Sequence, residues 1–253
     1  MTEFRPGSFQ ILPTIIKNLI IINVLVFIAQ NVIPATTFNF DDVLALHTWQ
    51  SGLFKPWQFF TYMFLHGNIQ HIFGNLFALW MFGATLENLW GPKRFLTFYL
   101  VCGLGAALCH MIVLWIENGA MLNALHHINS PYLLNEFLAK YTPKGVQIEE
   151  QSLGFAQAIV DFKLNGATLG ASGAVFGCLA AFGYLFANEY IYLYFFIPLK
   201  AKWFVLAYIG GELMLQIQNS AGDTVAHIAH LGGALVGFLM VYFWKHNNRR
   251  NIY

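Results

Sequence analysis

The stretch Gly170-Ala171-Ser172-Gly173, which leads into the apolar run 174–187, decides how the rest of the chain is interpreted. A serine between glycines at the start of a membrane-length helix is unusual, because a hydroxyl gains nothing from apolar surroundings. The glycines let the backbone turn sharply and approach its neighbours closely. The free N–H groups at a helix start can also hold an anion beside Ser172. We therefore predict that Ser172 is a functional residue.

The composition is typical of a membrane protein. Of 253 residues, 57% are hydrophobic and only 10% are charged, whereas soluble domains have about 25% charged residues. The formal net charge of +1 gives no support to nucleic-acid binding. Cys102, Cys109 and Cys178 lie in apolar runs and are interpreted as packing residues, not as a disulfide framework or metal site. Neither a metal nor a cofactor is predicted.

Apolar runs of about 20 residues predict six transmembrane helices. The runs are 11–33, 59–86, 95–116, 167–187, 203–217 and 225–244. Six spans put both termini on one side of the membrane, and Lys and Arg are more numerous on that side. This excess predicts that both termini are inside. The predicted fold is an all-α bundle of six transmembrane helices, N-in and C-in, whose short central fourth helix starts at the active site.

The whole chain, 1–253, is predicted to be a single membrane domain. An inner tail, 1–10, precedes the six-helix core, 11–244, and a basic inner tail, 245–253, follows it. The first span is interpreted as a retained anchor, because no small-residue cleavage site follows it. The largest outer segment, 117–166, is predicted to hold two amphipathic helices. One begins at Ser130-Pro131 and the other runs near 153–162.

The second span carries polar residues that do not belong in lipid. His71 and Asn75 are four residues apart and share one helix face. Either they are bonded to another helix or they are hydrogen-bond donors aimed at one point, and the pair alone does not decide. His66 and Gln70 lie nearer the outer surface and are interpreted as structural polar groups.

The sixth span carries two histidines above a row of glycines. His230 shares a helix face with Gly233 and Gly237, and this face is predicted to pack against the small-residue stripe behind Ser172. His227 lies on nearly the same face, so the spacing alone makes His230 only the better of two choices. The glycines directly beneath His230 are what bring it close to the serine helix.

A buried serine opposite a histidine on a neighbouring helix predicts a nucleophile and its general base. Acyl transfer also requires donors for the developing oxyanion. His71, Asn75 and the backbone N–H of Ser172 are the candidates. Phe176, one turn after Ser172, is predicted to hold the His230 ring by stacking. Since no intramembrane aspartate suits a third member, a catalytic dyad is predicted.

Two of the glutamates within or beside the spans are candidates for a specific role. Glu212, in the middle of the fifth run, is an intramembrane carboxylate and therefore a functional candidate by default. We interpret it instead as a surface-facing or hydrogen-bonded residue near the outer end. Glu87 lies a whole helix length from Ser172 and is predicted to pair with Lys93 or Arg94 at the turn that follows.

Taken together, these motifs resemble the rhomboid family of intramembrane serine proteases, in its six-span bacterial type. The resemblance covers about 57–244. It is carried, in chain order, by His71-x-x-x-Asn75, Gly83 with Glu87, Gly91-x-x-Arg94, Gly170-Ala-Ser172-Gly and Ala229-His230-x-x-Gly233-x-x-x-Gly237. Each motif is weak alone, but their order within six spans is very specific.

The resemblance implies hydrolysis of peptide bonds in or beside the transmembrane segments of other membrane proteins, within the lipid bilayer. By position it assigns Ser172 as nucleophile, His230 as base, and His71 and Asn75 as oxyanion donors, with Gly170 in a supporting place. It also implies that the fifth helix and the 217–223 loop form a lid. We expect a cell membrane location, a bacterial inner membrane, with the active site opening to the outer side. The physiological substrate and the oligomeric state are not predicted.

The sequence departs from the family pattern at two positions. Gln58 stands where an arginine is frequent, so salt-bridge bracing of the first outer loop is in doubt. Val225 replaces a glycine that often precedes the base motif. One alternative is a non-catalytic rhomboid-like protein that binds membrane helices, although such proteins typically lose the serine or the histidine. A transporter or channel lined by histidines is a second alternative, but it does not explain the glycine-flanked serine.

Overall fold

The computed structural model of the chain is mostly helical and describes residues 9–143, 146–148, 151–193, 197–218 and 226–247. Its main helices are α1 (Thr14–Val32), α2 (Phe40–Leu44), α3 (Gln58–Thr61), α4 (Ile69–Ala78), α5 (Ala84–Trp90), α6 (Pro92–His126), α7 (Pro131–Tyr141), α8 (Leu153–Leu164), α9 (Ser172–Leu185), α10 (Ala201–Gln218) and α11 (His227–Asn247). The strands are β1 (Tyr190–Leu193) and β2 (Ile197–Lys200).

Four stretches of helix in the described part of the chain are long and apolar enough to cross a membrane. They are Thr14–Val32, Ile69–Trp90, Pro92–His126 and His227–His246. The apolar helix α9 is shorter, with 14 residues, and α10 has 18. The mostly helical membrane fold is therefore confirmed, while the six-span topology and the N-in/C-in orientation stay predictions.

The connection between the fourth and fifth predicted spans contains two short strands. Strands β1 and β2 pair antiparallel, with Tyr190 opposite Lys200 and Leu193 opposite Ile197. Aromatic and β-branched residues favour extended backbone, and Tyr190, Ile191 and Tyr192 supply them in succession.

The second predicted span, 59–86, is displaced along the chain. Its N-terminal residues form the separate helix α3 and a 3-10 turn, Tyr62–Phe64. The long helix begins only after Asn68, whose side-chain oxygen accepts the His71 N–H at 2.8 Å. Helices α4 and α5 then continue each other through a π-helical turn, Leu79–Gly83. An asparagine cap therefore sets the start of the helix that carries His71 and Asn75.

The third predicted span, 95–116, is too short, because α6 continues to His126. The extension carries a small core of its own, formed with α7 and α8. Its buried residues are Met121, Phe137, Leu138, Ala156, Ile159 and Val160. Both predicted outer helices are present, and Ser130 and Ser152 cap them by accepting the N–H groups of Leu133 and Phe155.

The helix α9 lies at the centre of the bundle, in contact with α6 and α11. Glycine permits this closeness, because a Cβ at Gly237 would lie 2.6 Å from the carbonyl oxygen of Gly177. A Cβ at Gly233 would overlap the carbonyl oxygen of Gly173. The predicted contact between the two glycine stripes is confirmed, and it brings the start of α11 beside the start of α9.

Glu87 does not serve as expected. Its two carboxylate oxygens accept the backbone N–H groups of Ile15 and Ile16, each at 2.9 Å, so it caps the start of α1. The first N–H groups of a helix have no partner within that helix, and the N-terminal end of the helix dipole favours an anion. Arg94 instead places its guanidinium 4.1 Å from the ring centre of Trp244. The predicted pairing of Glu87 with Lys93 or Arg94 is wrong.

Among the described residues, the first outer segment is braced by neutral hydrogen bonds and not by a salt bridge. Gln58 is fully buried, and its Oε1 accepts the N–H groups of His47 at 3.3 Å and Lys55 at 3.1 Å. Its Nε2 donates to the carbonyl oxygen of Leu53 at 2.9 Å. One amide thus links several turns of this segment through neutral hydrogen bonds. Val225, the other departure from the family pattern, lies outside the described residues.

Candidate active site

The backbone around Ser172 is held in a shape that requires glycine. Gly170 has a φ of 128°, in the left-handed region that favours glycine, and its N–H donates to the carbonyl oxygen of Tyr62 at 2.9 Å. A Cβ at this position would lie 2.8 Å from Nε2 of His71. Gly170 therefore lets the His71 ring approach the segment that leads into Ser172, the first residue of α9.

Ser172 and His230 lie in direct contact. The Ser172 Oγ is 2.8 Å from the Nε2 of His230, within the range of a hydrogen bond. The imidazole also stacks on the ring of Phe176, with 4.3 Å between ring centres and 7° between planes. The two side chains that the sequence pairs are brought together, and the predicted stacking partner lies against the ring.

The second ring nitrogen of His230, Nδ1, contacts a carboxylate. The Oε2 of Glu212 lies 2.9 Å from the Nδ1 of His230. The same oxygen lies 2.5 Å from the Nδ1 of His227. Glu212 is therefore hydrogen-bonded and not surface-facing, so one of the two expected alternatives is correct, but its partner is the candidate base itself. A serine, a histidine and a carboxylate stand in a row, where the sequence predicts two partners.

This group of side chains is largely withdrawn from solvent. The side chains of His227, His230 and Glu212 are 6%, 11% and 12% exposed. A second ring contact, 5.3 Å between the centres of Phe176 and Tyr208, packs α10 against α9 one turn before Glu212. The carboxylate is thus held at the site by the packing of its helix as well as by its own hydrogen bonds.

His71 is oriented by its own helix start. Its Nδ1 accepts the Gly67 N–H at 3.4 Å, a long hydrogen bond. With an acceptor role at Nδ1, the neutral ring carries its proton on Nε2, the nitrogen that faces Gly170. The ring of His66 packs edge-on against it at 5.0 Å. His71 therefore turns a donor towards the serine segment.

Asn75 supplies a second donor one turn further along α4. The residue is 8% exposed. Within the part of the chain that the structure describes, its Nδ2 is buried and has no hydrogen-bond partner. Most buried amide groups are satisfied, so an open donor on a helix that contacts α9 needs an explanation. A substrate oxygen that arrives during reaction would satisfy it.

Two further histidines line the surroundings of the site. His110 places its Nε2 2.9 Å from the Thr168 Oγ1, so a hydrogen bond holds its ring against the segment before Ser172. His66 is 2% exposed, and its ring nitrogens have no partner among the described residues. It lines a polar cavity of about 200 Å³ together with Gly67, Leu169 and residues of the first outer segment. This cavity adjoins the residues next to His71 and Gly170.

One group of donor atoms in the described residues could hold a metal ion, although the sequence predicts no metal. The ligand atoms of Glu212, His227 and His230 all lie within 4.8 Å of one another. Two histidines and a carboxylate form a donor set that zinc accepts. The same atoms are already joined by hydrogen bonds of 2.5 and 2.9 Å, which explain their closeness without an ion.

Glu212 is the residue whose contact with His230 sequence reasoning missed. The available signal was a carboxylate in an apolar run with Tyr208 one helical turn before it, which marks a face that is not turned to lipid. The spacing within α10 does not say which helix that face meets. The 219–225 stretch, which holds most of the predicted lid loop, lies outside the described residues.

Comparison with known proteins adds a family-level result. The family model described as Rhomboid domain matches residues 53–119 and 148–247. RHOMBOID-like protein 12, mitochondrial, of Arabidopsis thaliana is 27% identical over 222 residues, which are 88% of this chain and 56% of the relative. Rhomboid protein 1, mitochondrial, of Saccharomyces cerevisiae is 28% identical over 186 residues, 72% of this chain and 39% of the relative.

A bacterial protease is also among the relatives. Rhomboid protease GluP of Bacillus subtilis is 23% identical over 234 residues, 89% of this chain and 34% of that protein. The chain thus spans between about a third and somewhat over half of these relatives' lengths. Two of the three are named as mitochondrial, so these relatives do not support the predicted bacterial inner membrane.

Proposed function

The chain belongs to the rhomboid family, and on that premise we propose that it is a serine endopeptidase that cleaves membrane proteins within or beside their transmembrane segments. The observation that carries the proposal is the 2.8 Å contact between the Ser172 Oγ and the His230 Nε2. A serine hydroxyl is a weak nucleophile by itself and needs a base within hydrogen-bond reach. The alternative of a non-catalytic relative does not account for this contact.

In the first half of the reaction, Ser172 attacks the carbonyl carbon of the scissile peptide bond. The Oγ–C bond forms while the hydroxyl proton passes to Nε2 of His230. The carbonyl oxygen becomes a tetrahedral oxyanion. When this intermediate collapses, the C–N bond breaks, and His230 returns its proton to the departing amine. An acyl ester on Ser172 remains.

In the second half, water takes the place of the amine. His230 accepts a proton from the water as its oxygen bonds to the acyl carbon. The second tetrahedral intermediate then expels the Ser172 oxygen, which regains the proton from His230. The products are a new carboxyl terminus and the restored hydroxyl. Peptide and water supply all the atoms, so no cofactor is required.

The oxyanion is assigned to donors on α4 and at the start of α9. These are the Nε2 of His71, the Nδ2 of Asn75 and the backbone N–H of Ser172. The buried and unpartnered amide of Asn75 supports this role, as does the Nε2 of His71 turned towards Gly170. Loss of one such donor typically lowers the rate by about 100-fold to 1,000-fold.

The partners implied are the lipid bilayer and proteins with a transmembrane segment. Apolar helices of membrane length support the first, and the name Rhomboid protease GluP supports proteolysis as the family activity in one relative. The proposal holds in an organelle membrane as well as in the predicted bacterial inner membrane, with the site opening to the outer side.

The test is reconstitution of the full chain in liposomes with a panel of single-span substrates, compared with Ser172→Ala. We expect cleavage of at least one substrate by the unaltered chain and none by the variant. Thr97→Ala serves as the matched control, because the Thr97 hydroxyl donates to the Lys93 carbonyl oxygen at 3.0 Å within α6 and not to a residue of the site. Equal cleavage by Ser172→Ala and the unaltered chain would overturn the proposal. A chain that binds the substrates but cleaves none would instead support the non-catalytic alternative.

A further inference from the structure

We propose that Glu212 is a positioning residue for the base, whose carboxylate holds His230 in the tautomer and orientation that let it take the proton of Ser172. This inference rests on the proposed function, since it assigns Glu212 a role in that reaction. It replaces the predicted dyad with a row of three side chains from α9, α11 and α10. Glu212 acts through His230 and does not touch the substrate.

The tautomer follows from the chemistry of the two contacts of the ring. A carboxylate oxygen only accepts hydrogen bonds, so the 2.9 Å contact with Glu212 places a proton on Nδ1 of His230. A neutral imidazole carries one proton, which leaves a lone pair on Nε2. That nitrogen lies 2.8 Å from the Ser172 Oγ. Glu212 thereby keeps Nε2 free to accept the hydroxyl proton.

The charge of Glu212 matters most during the reaction. When His230 takes the serine proton it becomes a cation, and a cation withdrawn from water is costly unless an anion lies beside it. The Glu212 carboxylate, 12% exposed, supplies that anion at hydrogen-bond distance. The benefit arises in the transition state and not in substrate binding. Loss of the charge should therefore lower kcat and leave KM nearly unchanged.

His227 contributes by holding the carboxylate. Its Nδ1 lies 2.5 Å from the same Oε2 that contacts His230. Two N–H donors on one oxygen leave the carboxylate little freedom to rotate away. The ring contact between Phe176 and Tyr208 packs α10, which carries Glu212, against α9. Contacts with both α11 and α9 therefore hold the Glu212 carboxylate beside His230.

The kinetic experiment compares four forms of the full chain in liposomes with a fluorogenic single-span substrate. They are the unaltered chain, Glu212→Gln, Glu212→Asp and the matched control Glu117→Gln, an exposed glutamate on α6. We expect Glu212→Gln to lower kcat by about 100-fold, the scale of one preorganised electrostatic contact, with KM within about twofold. Glu212→Asp keeps the charge and should regain part of the lost kcat. The control should match the unaltered chain.

Three results of these kinetics would overturn the proposal. The first is a kcat of Glu212→Gln within about twofold of the unaltered value, well short of the loss expected for an electrostatic contact. The second is an equal loss in Glu212→Gln and Glu212→Asp, which points to packing alone. The third is loss of activity in the unaltered chain on treatment with EDTA, which would make Glu212, His227 and His230 metal ligands.

A spectroscopic arm needs no turnover and separates this proposal from the proposed function. In the full chain with ¹⁵N-labelled histidine, we expect a strongly deshielded Nδ1 proton for His230, assigned by its absence from His230→Asn. Ser172→Ala should retain the signal, and Glu212→Gln should lose or greatly weaken it. A His230 ring with its proton on Nε2 would contradict the role of Glu212 even if the chain cleaves substrates. The signal would stand even if no substrate in the panel were cleaved.

Discussion

The glutamates Glu87 and Glu212 differ in what they bind. On α5, the two carboxylate oxygens of Glu87 each accept a hydrogen bond from a backbone N–H group. Beside Ser172, a single carboxylate oxygen of Glu212 lies within hydrogen-bond distance of two histidine side chains. Both residues are glutamates in apolar surroundings and both are largely buried. Glu87 accepts hydrogen bonds from N–H groups at the start of α1 that have no partner within the helix. Glu212 instead bonds to side chains that can change their protonation, so only the second arrangement can take part in proton transfer.

The donors near the two carboxylates differ in the same way. Beside Glu87, the side-chain amide of Asn88 has hydrogen-bond partners, since its Nδ2 donates to the carbonyl oxygens of Gln10 and Ala84 at 2.9 and 2.8 Å. Around Ser172 the Nδ2 of Asn75 is left open among the described residues. A buried donor without a partner weakens a fold. The open amide of Asn75 therefore costs the fold stability at a position where an incoming acceptor could use it.

The largest effect that tests this contrast is expected from Asn75→Ala. The change should lower the rate of substrate cleavage by about 100-fold or more, because an oxyanion donor is lost. The free energy of unfolding should stay the same or rise, because the Asn75 Nδ2 has no hydrogen bond within the described residues for the change to break. Initial cleavage rates and detergent unfolding curves on the same preparation measure both quantities.

Asn118→Ala is the matched control for this variant. Asn118 is 6% exposed, and in the described structure its Nδ2 also lacks a partner, but it lies on α6, eight residues beyond His110. The Asn118→Ala variant should therefore cleave substrate at the rate of the unaltered chain. Equal losses of activity in the two variants would show that an open buried amide, wherever it lies, does not mark the oxyanion site.

A smaller effect, of the opposite kind, is expected from Glu87→Gln. The amide can accept one of the two N–H groups but turns its own NH₂ towards the other, so one buried donor loses its partner. The free energy of unfolding should fall by about 1–3 kcal/mol, while the cleavage rate per folded molecule stays unchanged. Glu117→Gln again supplies the control. A loss of kcat in Glu87→Gln comparable to that of Glu212→Gln would remove the distinction between the two carboxylates.

Much of this arrangement could be predicted from the sequence. The glycines at 173, 177, 233 and 237 predict that α9 and α11 approach closely, and the structure brings their backbones together. That contact in turn places His230 and not His227 against Ser172. Small residues at a fixed period carry information about packing between helices, because only they allow this distance.

The partners of the two glutamates could not be predicted in the same way. A helical pattern tells which residues share a face, but not how neighbouring helices are rotated or shifted against each other. The sequence therefore pairs Glu87 with the nearby cations Lys93 and Arg94, and it leaves Glu212 surface-facing or hydrogen-bonded with no partner named. Glu87 contacts Ile15, which is 72 positions away in the sequence, and Glu212 contacts His230, which is 18 positions away.

The end of α6 was missed for a different reason. The apolar run stops at Ile116, and Glu117, Asn118 and Gly119 follow it. Hydrophobicity alone ends a membrane span there. The helix nevertheless continues to His126, because α7 and α8 cover its last turns with apolar side chains such as Phe137 and Ile159. Tertiary contacts override the local signal.

The most direct measurement of the central claim is covalent labelling of the full chain with a fluorophosphonate probe, followed by peptide mass spectrometry. The probe reacts with a serine only where a base activates the hydroxyl. We expect the label on Ser172 of the unaltered chain, no label on Ser172→Ala, and little label on His230→Ala. Labelling of Ser172 that is undiminished in His230→Ala, or labelling that persists at another residue in Ser172→Ala, would contradict the account.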